Sequence, residues 1–152
     1  MSSGEPAPVD RIVRALEGVD ELEFAYLFGS RAAGQGETGH RNARRPRPDS
    51  DWDVAVYLDE ALTPEERFEI RLRLIAELEG PTFPVDVVVL NDAPPLLAYN
   101  ALGGERLLER DPVKRVRFFV RTAGLAEDQR YWRDFHLSAR LRRLEEGRFG
   151  RP

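Results

Sequence analysis

The chain has no cysteine, two histidines and one methionine in its 152 residues. Without cysteine there is no disulfide and no thiolate metal site, and a reducing cytoplasm is the expected compartment. His40 and His136 are too few for a multi-histidine zinc centre. No apolar run approaches the roughly 18 residues that cross a bilayer, so no membrane span is expected. Met1–Pro8 lacks both the charged start and the apolar stretch of a secretory signal, and residues 1–8 are expected to be flexible. An excess of positive charge is also missing. Lys and Arg total 23 against 27 Asp and Glu, a net charge of −4. That balance argues against direct binding to a nucleic-acid backbone, which needs a basic footprint.

What is present suits one soluble domain. Apolar residues are 41% of the chain and charged residues 33%, enough to bury a single core. Arginines gather at Arg41, Arg44, Arg45 and Arg47, and again at Arg140, Arg142 and Arg143. Each cluster reads either as a solvated surface or as a holder of an anion or partner.

Val9 to Leu16 has helical spacing, and Gly18 ends it. Leu22, Phe24, Tyr26 and Phe28 alternate with other residues, as in a strand. Gly29-Ser30 then turns the chain, with a short helix expected beyond. Residues 34–50 are dominated by glycine, proline and arginine and read as a mobile loop. Trp52 to Leu58 resumes a strand, with Trp52, Val54, Val56 and Leu58 on one face. Thr63-Pro64-Glu65-Glu66 has the form of a capped helix start, and Phe68, Leu72, Ile75 and Leu78 supply its apolar stripe up to Gly80. Val85 to Leu90 is nearly continuous valine, which predicts a central strand covered on both faces. Pro94 to Leu102 predicts a short helix stopped by Gly103-Gly104, and Arg106 to Glu109 a short edge strand. From Pro112 the pattern is helical, with a break expected at Gly124. Phe118, Phe119, Leu125, Trp132, Phe135, Leu137 and Leu141 can face a core or a partner. Tyr131 and His136 read with Trp132 as packing or partner contacts. The order of elements defines an α/β or α+β domain with a small sheet.

Three features fall at the ends of these strands: Gly29-Ser30, Asp51-Trp52-Asp53 and Asp86. Side chains two apart on a strand point the same way, with Cα atoms roughly 6–7 Å apart. Asp51 and Asp53 can therefore share cations about 3.5–4 Å apart, while Trp52 faces the core. Asp86 on a neighbouring strand can complete the set. Hard oxygen ligands suit Mg²⁺ or Mn²⁺. Without a cation, three clustered carboxylates repel and one carries a raised pKa. A glycine at a strand-to-helix turn lets a phosphate approach the backbone, and Ser30 and Arg31 add a hydroxyl and a charge. Asp-x-Asp alone is weak: 11 Asp in the chain make roughly 0.8 such pairs by chance. The weight lies in the order strand, Gly-Ser, Asp-x-Asp, helix, Val-Asp.

Leu27-Phe28-Gly29-Ser30-Arg31-Ala32, Asp49-Ser50-Asp51-Trp52-Asp53-Val54-Ala55-Val56 and Val85-Asp86-Val87-Val88-Val89 together resemble the minimal nucleotidyltransferase (MNT) group of the DNA polymerase β-like superfamily. The resemblance covers residues 9–110 as a nucleotidyltransferase domain with the inserted loop 34–50, and leaves 111–152 as a helical extension. It implies an α+β fold, a small mixed sheet with helices packed on it and the active site at one edge. It implies two Mg²⁺ ions, with Mn²⁺ an alternative, and ATP as substrate. Gly29, Ser30 and Arg31 would hold the nucleotide. Asp51 and Asp53 would bind both metals, and Asp86 would complete the one that activates the acceptor hydroxyl. The acceptor attacks the α-phosphorus in line and pyrophosphate leaves.

Small members of this group resemble antitoxins paired with HEPN-domain toxins, transferring AMP to a toxin tyrosine. The expected partner is therefore a cognate HEPN toxin. Transfer to a small hydroxylated molecule and a noncatalytic antitoxin acting by binding alone are the alternatives. The chain departs from the family in two places. Residues 31–50 make a longer connection than small members have, and Ala33 stands where a second arginine often follows the Gly-Ser. Arg44, Arg45 or Arg47 is the candidate to close over the nucleotide or dock the partner, against the alternative of a surface insertion.

Overall fold

The computed structural model of the protein describes residues 4, 7–32, 51–80 and 83–145; the side chains of 131–132, 135–140 and 143–145 lie outside that description. Helix α1 (Pro8–Glu17) leads into strand β1 (Leu22–Phe28) and a 3₁₀ turn, Gly29–Arg31. Strand β2 (Trp52–Leu58), helix α2 (Pro64–Leu78) and strand β3 (Val85–Val89) follow. Helix α3 (Pro95–Leu102), strand β4 (Glu105–Glu109) and the long helix α4 (Pro112–Glu145) complete the order.

The four strands form one mixed sheet in the order β3-β2-β1-β4. Strand β1 is antiparallel to both β2 and β4, whereas β2 and β3 are parallel. A parallel pair needs a crossover, and α2 supplies it. The sheet has a core on each face. Ile12, Leu16, Val54, Val56, Ile70, Leu74 and Val87 belong to the side covered by α1 and α2. Phe24, Tyr26, Ala55, Tyr57, Leu102 and Phe118 belong to the other, under α3 and α4. Each large apolar side chain withdrawn from water contributes about 1.5–3 kcal/mol. No helix among the described residues is long and apolar enough to cross a membrane.

Local chemistry explains the boundaries. In α2 the Thr63 side chain accepts from the Glu66 N–H at 3.2 Å, while the Thr63 N–H donates to Glu66 Oε1 at 3.1 Å. This reciprocal cap satisfies two amides that the first turn leaves unpaired and is worth about 1 kcal/mol. Pro95 starts α3 and Gly103 closes it. The next residue, Gly104, lies against β1 so closely that a Cβ would fall 2.0 Å from the Leu27 carbonyl oxygen.

Four sequence expectations change. Among the described residues, strand β3 is an edge strand and not a central one. Its valine run arises because Val85, Val87 and Val89 pack inward, while Asp86 and Val88 are part-exposed on the other face. Leu22 lies on the opposite face from Phe24 and Tyr26, because the β1–β2 register shifts between Leu22 and Phe24. That irregularity inserts a residue and flips the alternation. In α2 the buried stripe is Ile70, Leu74 and Leu78, and Phe68 and Leu72 are 54% and 47% exposed. Finally, α4 runs through Gly124 without a break, held to the domain by buried Phe118, Thr122 and Ala126 at four-residue spacing. Leu125 and Leu141 are exposed, and Phe119 packs at the edge of the second core. The readings for the side chains of Tyr131, Trp132, Phe135, His136, Leu137, Arg140 and Arg143 fall outside the described residues, and Arg142 is exposed.

Candidate active site

Strand directions bring the three sequence features to one end of the sheet. Because β1 and β2 run antiparallel, the exit of β1 adjoins the entrance of β2. Because β2 and β3 run parallel, both begin at that same end. The register is Phe28 opposite Asp53, and Asp53 opposite Asp86. Neighbouring strands lie about 4.8 Å apart, and paired residues present their side chains on the same face. Asp53 and Asp86 thus form a cross-strand pair of like charge, an arrangement that is destabilising on its own. Asp51 stands two residues before Asp53, just outside the strand and exposed.

The electrostatics reflect this crowding. The Asp53 carboxyl is pushed up to about 6, first by burial, then by the charges of Asp86 and Asp51. Either a proton or a cation relieves that strain. The donors are hard oxygens of the kind Mg²⁺ takes, and their type and register fit a divalent ion. Among the described residues no three acidic or histidine side chains converge into a ready cage. Asp86 is instead turned toward Arg71 of α2, whose Nη2 lies 3.6 Å from Asp86 Oδ1. Arg71 also donates from Nε to the Val87 carbonyl oxygen at 2.6 Å. Sequence reasoning missed Arg71, which no local pattern distinguishes from the other arginines of α2.

Gly29 makes the turn above Asp53. Its φ is +75°, a conformation that residues with a Cβ rarely adopt. A Cβ there would also lie 2.2 Å from Asp53 Oδ2. The glycine is therefore required twice, for the backbone turn and for the approach of the carboxylate. Ser30 follows, part-exposed within the 3₁₀ turn that the Ala32 N–H closes onto the Gly29 carbonyl at 3.2 Å. The helix expected after the Gly-Ser is this single turn as far as Ala32, and its continuation lies outside the described residues.

Arg31 lies beside Trp52. Its guanidinium sits 4.9 Å from the centre of the Trp52 ring. Trp52 packs against the α1–α2 core and stacks on Phe83 at 5.4 Å and 18°, as its alternation with Asp51 and Asp53 requires. The arginine thus braces the strand entrance from the side opposite the acids, through a cation–π contact worth about 0.5–1 kcal/mol at an exposed site. Arg41, Arg44, Arg45 and Arg47 lie outside the described residues.

A mixed sheet that sets a Gly-Ser turn on one strand against acids in register on the next two is the frame of a nucleotidyltransferase domain. The model of the family described as polymerase beta, nucleotidyltransferase matches residues 10–113, and the chain belongs to that family. Among curated proteins none matches the chain. Solved structures do. A toxin–antitoxin crystal structure with AMP-PNP is 26% identical, with a TM-score of 0.60 over 88% of this chain and 98% of that one. A mutant of the toxin–antitoxin MntA-HpeT is 21% identical, with a TM-score of 0.63 over 88% and 98%. The complex of a tri-AMPylated HEPN toxin from Shewanella oneidensis with its MNT antitoxin is 22% identical, with a TM-score of 0.59 over 88% and 96%.

Proposed function

We propose that this chain is an MNT antitoxin that transfers AMP from ATP, with Mg²⁺, to a tyrosine hydroxyl of a partner HEPN toxin. The observation that carries the reading is the in-register pair Asp53–Asp86 facing the Gly29 turn. The similar structures are toxin–antitoxin proteins, one described with AMP-PNP and one with an AMPylated HEPN toxin, and these support the choice of nucleotide and acceptor.

In this reading Gly29 leaves the backbone bare so that the triphosphate can lie against it, and Ser30 donates its hydroxyl to a phosphate oxygen. Asp51 and Asp53 would hold the divalent cations, with Asp86 completing the ligand set. When bound there, Mg²⁺ would supply positive charge to the transferring phosphoryl group and make the acceptor hydroxyl easier to deprotonate. The protein's own share is positioning: Asp53 and Asp86, in register on two adjacent strands, have little freedom to move relative to one another, and Asp51 stands at the entrance of the first. Arg71, 3.6 Å from Asp86, would hold that carboxylate at the edge of the site. The protein works in the cytoplasm, where ATP and Mg²⁺ are supplied.

The test is direct. The chain is incubated with α-labelled ATP, Mg²⁺ and the HEPN-domain protein encoded beside it, and the label is mapped by mass spectrometry. Label on a partner tyrosine is the expected result, abolished by Asp53→Ala. Label on a small molecule instead overturns the protein acceptor, and inhibition of the partner with no label at all overturns transfer.

A further inference from the structure

Strand pairing fixes only part of the candidate site. Asp53 and Asp86 are in register, but Asp51 precedes β2 and Ser30 follows β1, so neither belongs to a strand. On the other face of the sheet a series of ring contacts joins the same three segments. Arg31, next to Ser30, places its guanidinium 4.9 Å from the centre of the Trp52 ring. Trp52, between Asp51 and Asp53, stacks on Phe83 at 5.4 Å and within 18° of parallel. Phe83 stands three residues before Asp86, and its ring takes the Arg11 guanidinium at 5.0 Å. The far end of the series is anchored. Phe83 exchanges both backbone hydrogen bonds with Gly80, at 3.0 and 3.2 Å. Arg11 of α1 donates from Nη2 to the Leu78 carbonyl at 3.1 Å. Between them the Trp52 N–H donates to the Pro84 carbonyl at 2.8 Å.

We propose that the stack Arg31–Trp52–Phe83–Arg11 positions the cation ligands, holding Asp51 and the Gly-Ser turn in place beside the Asp53–Asp86 pair. The inference rests on the divalent-cation site of the reading given above. Each layer of the stack adjoins one of the site's segments, so a shift in any of them disturbs a flat contact. An exposed carboxylate outside the ladder has freedom that a cation must freeze on binding. Holding the backbone at Trp52 removes part of that cost in advance. Flat rings and a planar guanidinium suit the task, because face-to-face contacts resist tilting. Trp52 and Phe83 pack into the α1–α2 core and not among the acids. They are therefore positioning residues, acting through their chain neighbours.

Titration calorimetry of Mn²⁺ into the full chain, without nucleotide, tests the proposal. Arg31→Leu removes a positive charge from the strand entrance that carries the acids. Charge alone would make the variant bind the cation more tightly. Loss of positioning has the opposite sign, and binding about tenfold weaker is expected. Phe83→Leu keeps an apolar side chain but removes the ring, and a similar loss is expected. Phe83→Tyr keeps the ring and binds Mn²⁺ as the wild type does. Ile70→Val, in the same core but outside the stack, lowers Tm and leaves the affinity unchanged. Arg31 is part-exposed, so its variant decides the matter if Phe83→Leu does not fold. Unchanged or tighter binding in either stack variant overturns the proposal. Equal weakening by Ile70→Val overturns it too, as does a wild-type chain that takes up no Mn²⁺. The expected order of affinities with no labelled acceptor upholds the positioning and sinks the transfer reading. Labelled acceptor with unaltered affinities does the reverse.

Discussion

Gly29 and Asp53 stand so close that a Cβ on the glycine would lie 2.2 Å from Asp53 Oδ2. The backbone there also has φ +75°. Gly29→Ala must therefore either distort the turn or push the carboxylate aside. The left-handed conformation costs a residue with a Cβ about 1–2 kcal/mol, which lowers Tm by about 2–8 °C in a chain of this size. The displaced Asp53 is the larger effect. AMP transfer is expected to fall by about 100-fold or more, in line with the loss that a 1 Å misplacement can cause. Thermal unfolding and a labelled-ATP assay on the same preparation separate the two. Full activity in a correctly folded Gly29→Ala protein would remove the glycine from the site.

Asp53 makes the metal-free protein sensitive to pH. Its carboxyl is raised from 3.8 to about 6 in the fold. The folded state therefore holds this proton more tightly than the unfolded chain. The associated stability is fully present below about pH 4 and is lost as pH rises through 6. Allowing for the water that reaches this part-buried group, the loss is on the order of 1 kcal/mol. In EDTA, Asp53→Asn is expected to unfold at a higher temperature than the wild type at pH 7, and the difference is expected to vanish near pH 4. Millimolar Mg²⁺ at pH 7 should raise the Tm of the wild type and leave that of Asp53→Asn nearly unmoved. Parallel melting curves of the two proteins from pH 4 to 8 would contradict the crowded-carboxylate account.

Arg71 is paired with Asp86, and in the proposed reading it would compete with a cation for that carboxylate. At 3.6 Å, with the side chains 34% and 49% exposed, the ion pair contributes less than about 1 kcal/mol. Arg71→Ala also removes the donor to the Val87 carbonyl, so a modest fall in Tm is expected. The informative change is in the metal. Removing the guanidinium frees Asp86, and the Mn²⁺ affinity measured by calorimetry should rise several-fold. An unchanged or weaker affinity would show that Arg71 does not guard the carboxylate.

Much of this arrangement was readable from residue order. The Gly-Ser turn, the Asp-x-Asp entering a strand and the Val-Asp pair announced themselves through alternation and turn chemistry, and the Thr63–Glu66 cap through its spacing. Adjacency followed from topology: antiparallel β1–β2 and parallel β2–β3 bring those three places to one end. Other features had no local signature. A run of valines looks alike whether helices cover a central strand or an edge strand, so it does not fix the position of β3 in the sheet. In α2 both Phe68-Leu72-Ile75 and Ile70-Leu74-Leu78 have helical spacing, and only the sheet decides which set is buried. The extra residue near Glu23 that turns Leu22 to the other face is set by pairing with β2 and not by β1 itself. Arg71 reaches its carboxylate across 15 positions (86 − 71) from another element, a distance no motif bridges.

Gly124 offers a test of how far packing overrides propensity. A glycine inside a helix costs about 1 kcal/mol relative to alanine, and for that reason a break was expected there. Yet α4 continues through it. Burial of Phe118, Thr122 and Ala126 on the sheet side anchors both flanking turns, and that gain exceeds the cost of one poor helix former. The position itself is exposed, its φ is not positive, and a Cβ there would meet nothing within 4 Å. Gly124→Ala thus adds a methyl in open space while narrowing the unfolded ensemble. It is expected to stabilise the chain by about 0.5–1 kcal/mol, a rise in Tm of about 1–4 °C, with AMP transfer unaltered. Were the helix interrupted at this residue, alanine would strain the interruption, and the melting temperature would fall instead.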